Sequence, residues 1–249
     1  MGGMFKGAAT SVNELVTRLA TIGHYLTSEI LPPLCCLCGR RTAPSYSGRP
    51  FEQPAYLCDG CRDALPRNRS REDYPPLFAR ATVPFSYAYP VHHCVRALKF
   101  RGERVYARVF GELLAHARSN AGTPLPAMVI PVPLHAARYR ERGFNQAHEI
   151  ARFAARGLGL VVNTRCLVRA VNTREQSGLS LLERTKNVQA AFALRAPLPA
   201  TRVALVDDVL TTGNTVAEAA RVLRDAGAQE IELWAIARVP PGQSDATDS

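Results

Sequence analysis

Lysine is scarce in this chain of 249 residues: Lys6, Lys99 and Lys186 stand alone among 31 basic residues, so arginine carries the formal net charge of +10. Arginine's planar fork suits phosphates and carboxylates. The excess therefore favours an anionic partner such as nucleic acid, nucleotide or pyrophosphate, unless it only reflects a genome rich in arginine codons. No run of about 18 apolar residues is present, so no transmembrane helix is expected. Also missing is a positive segment leading into an apolar run and a small-residue cleavage site, so no secretory signal is expected. The P-loop and G-x-G-x-x-G patterns are absent, which excludes two common phosphate cradles. Neither an internal repeat nor a helix-turn-helix or zinc-finger signature is legible. With 47% hydrophobic and 21% charged residues, the composition excludes wholesale disorder, a collagen-like fibre and a bare coiled coil. The length suits one or two domains with a sizeable core.

The seven cysteines are unevenly spread, with five between Cys35 and Cys61. In the cytoplasm, the expected compartment, thiols stay reduced, and clustered cysteines then point to metal rather than disulfides. Cys35-Cys36-Leu37-Cys38 and Cys58-Asp59-Gly60-Cys61 form two C-x-x-C pairs with nineteen residues between Cys38 and Cys58. Two such turns facing each other complete a tetrahedron around one Zn²⁺. Cys35, Cys38, Cys58 and Cys61 are the expected ligands. Cys36 is surplus, because its spacing to Cys38 is too short for the usual turn. Four protein ligands leave no open position, so a structural site is expected. His92-His93-Cys94 is read as a plain helix start, since adjacent side chains diverge.

The chain divides into an amphipathic helix within 1–33, a zinc-ribbon-like module at 34–66, an α/β domain at 78–239 and a disordered tail at 240–249. Ser11 and Glu14 make a capping box, and the apolar stripe from Val12 to Ile30 packs on the protein itself rather than on a membrane surface. In the α/β domain, strands are expected at Thr82–Tyr89, with Pro84 marking an edge, and at Ala127–Pro131, Leu160–Val168, Arg202–Val206 and Ile231–Arg238. Helices are expected at Val91–Phe100, Arg104–Arg118, Asn145–Ala155 and Thr215–Asp225. This alternation predicts a parallel sheet flanked by helices. Arg138, Arg140 and Arg142 read as a cationic loop, and Asn172–Lys186 as a loop that is either a lid or inert surface.

The most informative stretch runs from Arg202 to Thr215. An apolar strand leads directly into Asp207 and Asp208, then a small-residue turn, then a helix. In a parallel sheet that turn lies at the carboxyl edge, where ligands bind. The turn and helix N-terminus favour phosphate.

Val206–Thr215 resembles the phosphoribosyl pyrophosphate (PRPP) motif of type I phosphoribosyltransferases. That motif is an apolar strand, two acidic residues and a Thr-Thr-Gly-x-Thr turn. The resemblance implies that Asp207 and Asp208 hold the ribose hydroxyls, with Mg²⁺ on the sugar-pyrophosphate. It also implies that Leu210, Thr211, Thr212, Gly213, Asn214 and Thr215 cradle the 5′-phosphate. Further segments are similar to the ComF (competence protein F) and GntX-like group: Leu98-Lys99-Phe100, Pro131-Val132-Pro133-Leu134, and Arg138 with Arg142-Gly143-Phe144-Asn145-Gln146-Ala147. So is Arg174 with Gln176, Ser177, Leu179, Arg184, Asn187 and Phe192. By this resemblance Val132, Pro133, Arg138 and Arg142 belong to a pyrophosphate loop, which often carries a non-proline cis peptide. Arg174, Gln176 and Arg184 belong to the lid. The four-cysteine module is also part of the resemblance. Three functions are implied: transfer of phosphoribosyl to an unknown base, non-catalytic PRPP or nucleotide sensing, and DNA uptake with single-stranded DNA and helicase-type partners.

Overall fold

The computed structural model describes residues 33–42, 54–69, 74–170 and 191–240. Along these residues come α1 (Asp59–Asp63), β1 (Arg80–Thr82), β2 (Phe85–Ser86), α2 (Val91–Arg101), α3 (Val105–Ser119), β3 (Met128–Pro131), α4 (Ala136–Arg142), α5 (Gln146–Leu158), β4 (Val161–Val162), β5 (Leu167–Arg169), β6 (Phe192–Leu194), β7 (Arg202–Leu210), α6 (Asn214–Asp225) and β8 (Glu230–Arg238). The main sheet runs β1–β8–β7–β3–β4, with β2 also on β8, and every pairing in it is parallel. A separate antiparallel pair joins β5 to β6. The expected α/β class, a parallel sheet flanked by helices, is what the chain adopts.

β7 and β8 carry continuous apolar runs, Val203–Val206 and Leu233–Ala237, because both faces of the sheet are covered. Ala204, Val206, Trp234 and Ile236 point to one face, where Val95, Leu98, Phe110 and Ile150 pack. Val203, Leu205, Ile231 and Leu233 point to the other, against Val216, Ala219, Leu223 and Phe192. Helices α3 and α5 approach closely on the first face. A Cβ at Gly111 would lie 2.5 Å from the Phe153 Cβ and 2.7 Å from the Ile150 carbonyl, so only glycine fits there. Cys35, Leu57 and Leu65 join this same core beside Val91 and Tyr106, so the cysteine module docks on α2 and α3.

A buried charge network pins the N-terminal side of the sheet. Arg118 is fully buried and forks onto Glu232 at 2.7 and 2.8 Å, and Trp234 Nε1 donates to the same carboxylate at 2.9 Å. Its remaining donors reach the carbonyls of Thr123 and Pro124. Burial opposes charge on Glu232, yet the Arg118 and Trp234 hydrogen bonds outweigh it and hold the carboxyl below its ordinary range. The network ties α3, the approach to β3 and strand β8 together.

Several expected elements differ in detail. The strand expected at Thr82–Tyr89 is two short edge pieces, β1 and β2, on either side of Pro84, which has no N–H for the ladder. The strand expected at Leu160–Val168 is likewise divided. The Asn163 side chain accepts from the N–H groups of Arg165 and Cys166, and this Asx turn leads the chain out of the main sheet into the β5–β6 pair. β7 does not stop at Val206 but pairs with β8 through Leu210, so both aspartates lie within the strand. The cationic loop expected at 138–142 is helix α4: His135 caps it by accepting from the Ala137 N–H, and Gly143 closes it. The N-terminal helix, the 172–186 loop and residues 241–249 lie outside the described residues. Among the described residues, no helix is long and apolar enough to cross a membrane.

Candidate active site

Because β3 and β7 run parallel and β3 ends at Pro131 opposite Val206, the segment after β3 runs beside the acidic end of β7 at one sheet edge. Val132 N–H donates to the Val206 carbonyl at 2.8 Å, which sets the two chains side by side. Between them lies a cavity of about 140 Å³ lined by Val132, Pro133, Arg138, Arg142, Asp207, Asp208, Thr211 and Thr215 among others. Eight of the sequence-predicted residues therefore share one hollow. Leu210 is buried in the core beneath the turn, while Thr212, Gly213 and Asn214 complete the turn without lining the cavity. Arg174, Gln176 and Arg184 lie outside the described residues.

Formation of α4 selects among the arginines. Arg138 and Arg142 are one turn apart on the same helical face and both reach the cavity, whereas Arg140, halfway between, is exposed. The expected non-proline cis peptide is absent from the 131–134 segment. Among the described residues the cis bond is Tyr89–Pro90.

The electrostatics are set by two adjacent carboxylates. Asp207 Oδ1 accepts from the Asp208 N–H, and Asp208 Oδ1 from the Val209 N–H, both at 2.8 Å. Lys99 Nζ, from α2, lies 2.9 Å from Asp208 Oδ2. Burial opposes charge on Lys99, but the Asp208 carboxylate outweighs it and holds the ammonium above its ordinary range. Asp207 has no such direct partner. Burial, together with the neighbouring Asp208 charge, pushes its carboxyl up to about 7, although the Asp208 N–H and Lys99 pull the other way. The edge thus holds one ion-paired carboxylate and one that exchanges its proton near neutrality. Beyond them, Gly213 sits at φ 79° and caps α6, and the Asn214 N–H donates to Thr212 Oγ1 at a long 3.5 Å. The N-terminus of this twelve-residue helix is thus only weakly capped and favours an anion.

A phosphoribosyl transferase domain model matches residues 146–247. "DNA utilization protein YhgH" of Salmonella typhi is 33% identical over 223 residues, covering 84% of this chain and 98% of that protein. "Competence protein F" of Haemophilus influenzae is 30% identical over 213 residues, covering 82% and 90%. The chain belongs to the ComF-like family of type I phosphoribosyltransferases. "Competence protein ComFC" of Bacillus subtilis is 27% identical over 200 residues, 80% of this chain and 75% of the relative. Among solved structures, glutamine PRPP amidotransferase from B. subtilis, complexed with ADP and GMP, matches 52% of this chain and 25% of that one at 19% identity and a TM-score of 0.35.

The four cysteines expected as ligands of this ComF-like chain come together. The sulfurs of Cys35, Cys38, Cys58 and Cys61 all lie within 4.8 Å of one another, an arrangement that could hold a metal ion. Cys35 begins a tight turn closed by the Gly39 N–H on its carbonyl, and Cys58 caps α1. Burial opposes ionisation of Cys35, but the backbone N–H groups of Cys58, Cys38 and Leu37 outweigh it and bring the thiol down to about 6. Cys36 stays outside the group, and burial pushes its thiol up to about 12. The choice of Cys35 over Cys36 agrees with both observations.

Sequence reasoning gave no site role to Lys99, Tyr87, Gln146 or Arg169, all of which line the ComF-like cavity. Lys99 carried a usable signal, being one of three lysines in a chain that otherwise uses arginine. Arg169 comes from β5, whose displacement from the main sheet the apolar pattern did not reveal.

The perturbed carboxyl gives a testable signature. Asp207 titrates near 7 when folded and near 3.8 ordinarily. The cost of burying its charge is therefore absent below the lower value, grows as pH rises and is complete above the higher one. Asp207→Asn keeps an acceptor for the Asp208 N–H and removes the charge. Thermal unfolding should show Tm raised by roughly 5 °C at pH 8 and distinctly less at pH 5; an equal shift at both pH values contradicts the assignment.

Proposed function

We propose that this chain binds PRPP at the end of β7 and transfers its phosphoribosyl group to a nitrogenous base, releasing pyrophosphate. The observation that carries this reading is the Asp207–Asp208 pair feeding a Gly213-capped helix at the carboxyl edge of a parallel sheet. In the proposed complex, Asp207 and Asp208 accept hydrogen bonds from the vicinal ribose hydroxyls. The Thr211–Thr215 turn and the α6 N-terminus hold the 5′-phosphate. Val132, Pro133, Arg138 and Arg142 face the pyrophosphate. Mg²⁺ bound on the sugar-pyrophosphate beside the aspartates supplies counter-charge to the leaving group.

The bond from ribose C1 to the pyrophosphate oxygen breaks and leaves its electron pair on pyrophosphate. A base nitrogen forms the new bond to C1 and gives up its proton. Positive charge develops on the ribose ring beside Asp207 and Asp208, and negative charge on the departing oxygens beside Arg138 and Arg142. Holding both parts of PRPP on rigid strand and helix ends supplies the orientation the displacement needs.

A second reading rests on the rim of the same cavity, which Phe100 and Arg142 line. Phe100 is 61% exposed, with Arg96 and Arg142 guanidinium groups 5.7 and 5.4 Å from its ring centroid. An exposed ring among arginines is a stacking platform for unpaired bases. Relatives carry the names competence protein and DNA utilization protein. On this second reading the chain serves DNA uptake, with single-stranded DNA and helicase-type partners.

Calorimetric titration with PRPP and Mg²⁺ should give saturable binding that an Asp207→Ala/Asp208→Ala double variant loses by at least about a hundredfold. Absence of binding to folded wild type rejects the PRPP reading, and salt-dependent binding of single-stranded DNA without PRPP then supports the second.

We also propose that Cys35, Cys38, Cys58 and Cys61 hold one structural Zn²⁺ that fixes the module against α2 and α3. Elemental analysis of reduced, purified protein should give about one zinc per chain, and Cys58→Ser should lose the metal and lower Tm. Metal-free, fully folded wild type contradicts the proposal.

A further inference from the structure

Helix α5 begins with two polar residues that meet different fates. Asn145 is engaged at both polar atoms: its Oδ1 accepts from the His148 N–H, and its Nδ2 donates to the Val132 carbonyl at 2.9 Å. The helix end is therefore capped, and the segment after β3 is tied to it. Gln146, the next residue, is 2% exposed and lines the cavity, yet among the described residues its Nε2 has no hydrogen-bond partner. A buried carboxamide donor left unpaired has given up its hydrogen bonds to water without replacement. An apolar side chain of the same length would avoid that cost, since neither capping nor the Val132 contact needs Gln146.

We propose that the Gln146 carboxamide is a ligand-contacting donor that binds a pyrophosphate oxygen of PRPP, an inference that rests on the PRPP reading above. The choice of ligand atom follows from the surroundings. Gln146 is separated from Arg142 by three residues, and Arg142 and Arg138 line the same cavity. α5 directs its N-terminal, partly positive end to that side. On the negative side of the cavity, Lys99 already pairs with Asp208. An acceptor-only, anionic oxygen satisfies the amide and meets both arginines. Gln146 thereby distinguishes PRPP from ribose 5-phosphate, which lacks the group at C1.

The test uses the full chain in Mg²⁺ buffer, titrated calorimetrically with PRPP, pyrophosphate and ribose 5-phosphate, with Tm measured on the free protein. Gln146→Met, which removes the donor but keeps the length, should weaken PRPP and pyrophosphate about tenfold. Gln146→Glu, which sets an acceptor charge against an anion, should weaken both by at least about fiftyfold. Ribose 5-phosphate should change less than about twofold in either variant, and the Tm of Gln146→Met should hold or rise. PRPP affinity unchanged in both variants overturns the inference alone, as does equal weakening of all three ligands with a fall in Tm, which marks a structural residue. Wild type that binds ribose 5-phosphate but not pyrophosphate also overturns it. Wild type that binds none of the three overturns the PRPP reading and the inference together.

Discussion

Two carboxylates in consecutive positions on a central strand, Asp208 buried and Asp207 half-buried, repel one another. Everything near the end of β7 answers that repulsion. Two backbone N–H groups turn onto the aspartates, and Lys99 reaches across from α2 to pair with Asp208. The balance is left incomplete, and Asp207 keeps its proton to about neutral pH. A fold selected for stability alone would carry an apolar residue there, as β7 does at Val203, Ala204, Leu205 and Val206. The unfavourable placement is tolerated because the sheet around it is strongly determined: both faces of β7 and β8 are covered, and the Arg118–Glu232 network fixes the opposite end. A rigid frame can hold a site that is poorly satisfied without a ligand.

The same logic links the two helices after β3. Gly143 ends α4 and Asn145 starts α5, so the short connection between them brings Arg142 and Gln146 to one hollow. Local capping rules are obeyed there, whereas the buried Gln146 amide at the cavity has no hydrogen-bond partner among the described residues, as is also true of Glu112 Oε2 and Thr123 Oγ1 elsewhere. An unsatisfied donor that lines a cavity is a feature expected of a binding site.

Much of this was legible in the sequence because the decisive residues follow local rules. The apolar run before Asp207 could only be a covered strand, and the Thr-Thr-Gly turn could only precede a helix end. The cysteine spacing picked out the four sulfurs that come together, with Cys36 outside that group. Less was legible where tertiary geometry decides. Asn163 ends one strand and starts a turn, although the apolar run Leu160–Val168 reads as continuous. Arg138, Arg140 and Arg142 are equivalent in composition, and only helical phase separates the exposed one from the pair at the cavity. Lys99 lies more than a hundred residues from Asp208 in sequence, and no periodicity reveals such a pairing.

The central claim is that the acid pair at the end of β7 is held in an unfavourable state that PRPP relieves. Carboxyl-carbon NMR of Asp207, titrated with and without saturating Mg²⁺ and PRPP, tests it directly. The account predicts a carboxyl that titrates near 7 in the free protein. Its pKa should fall by at least about one unit in the complex, because hydroxyl donors and counter-charge favour the ionised form. Titration near the ordinary aspartate value in the free protein, or no change on adding PRPP, contradicts it.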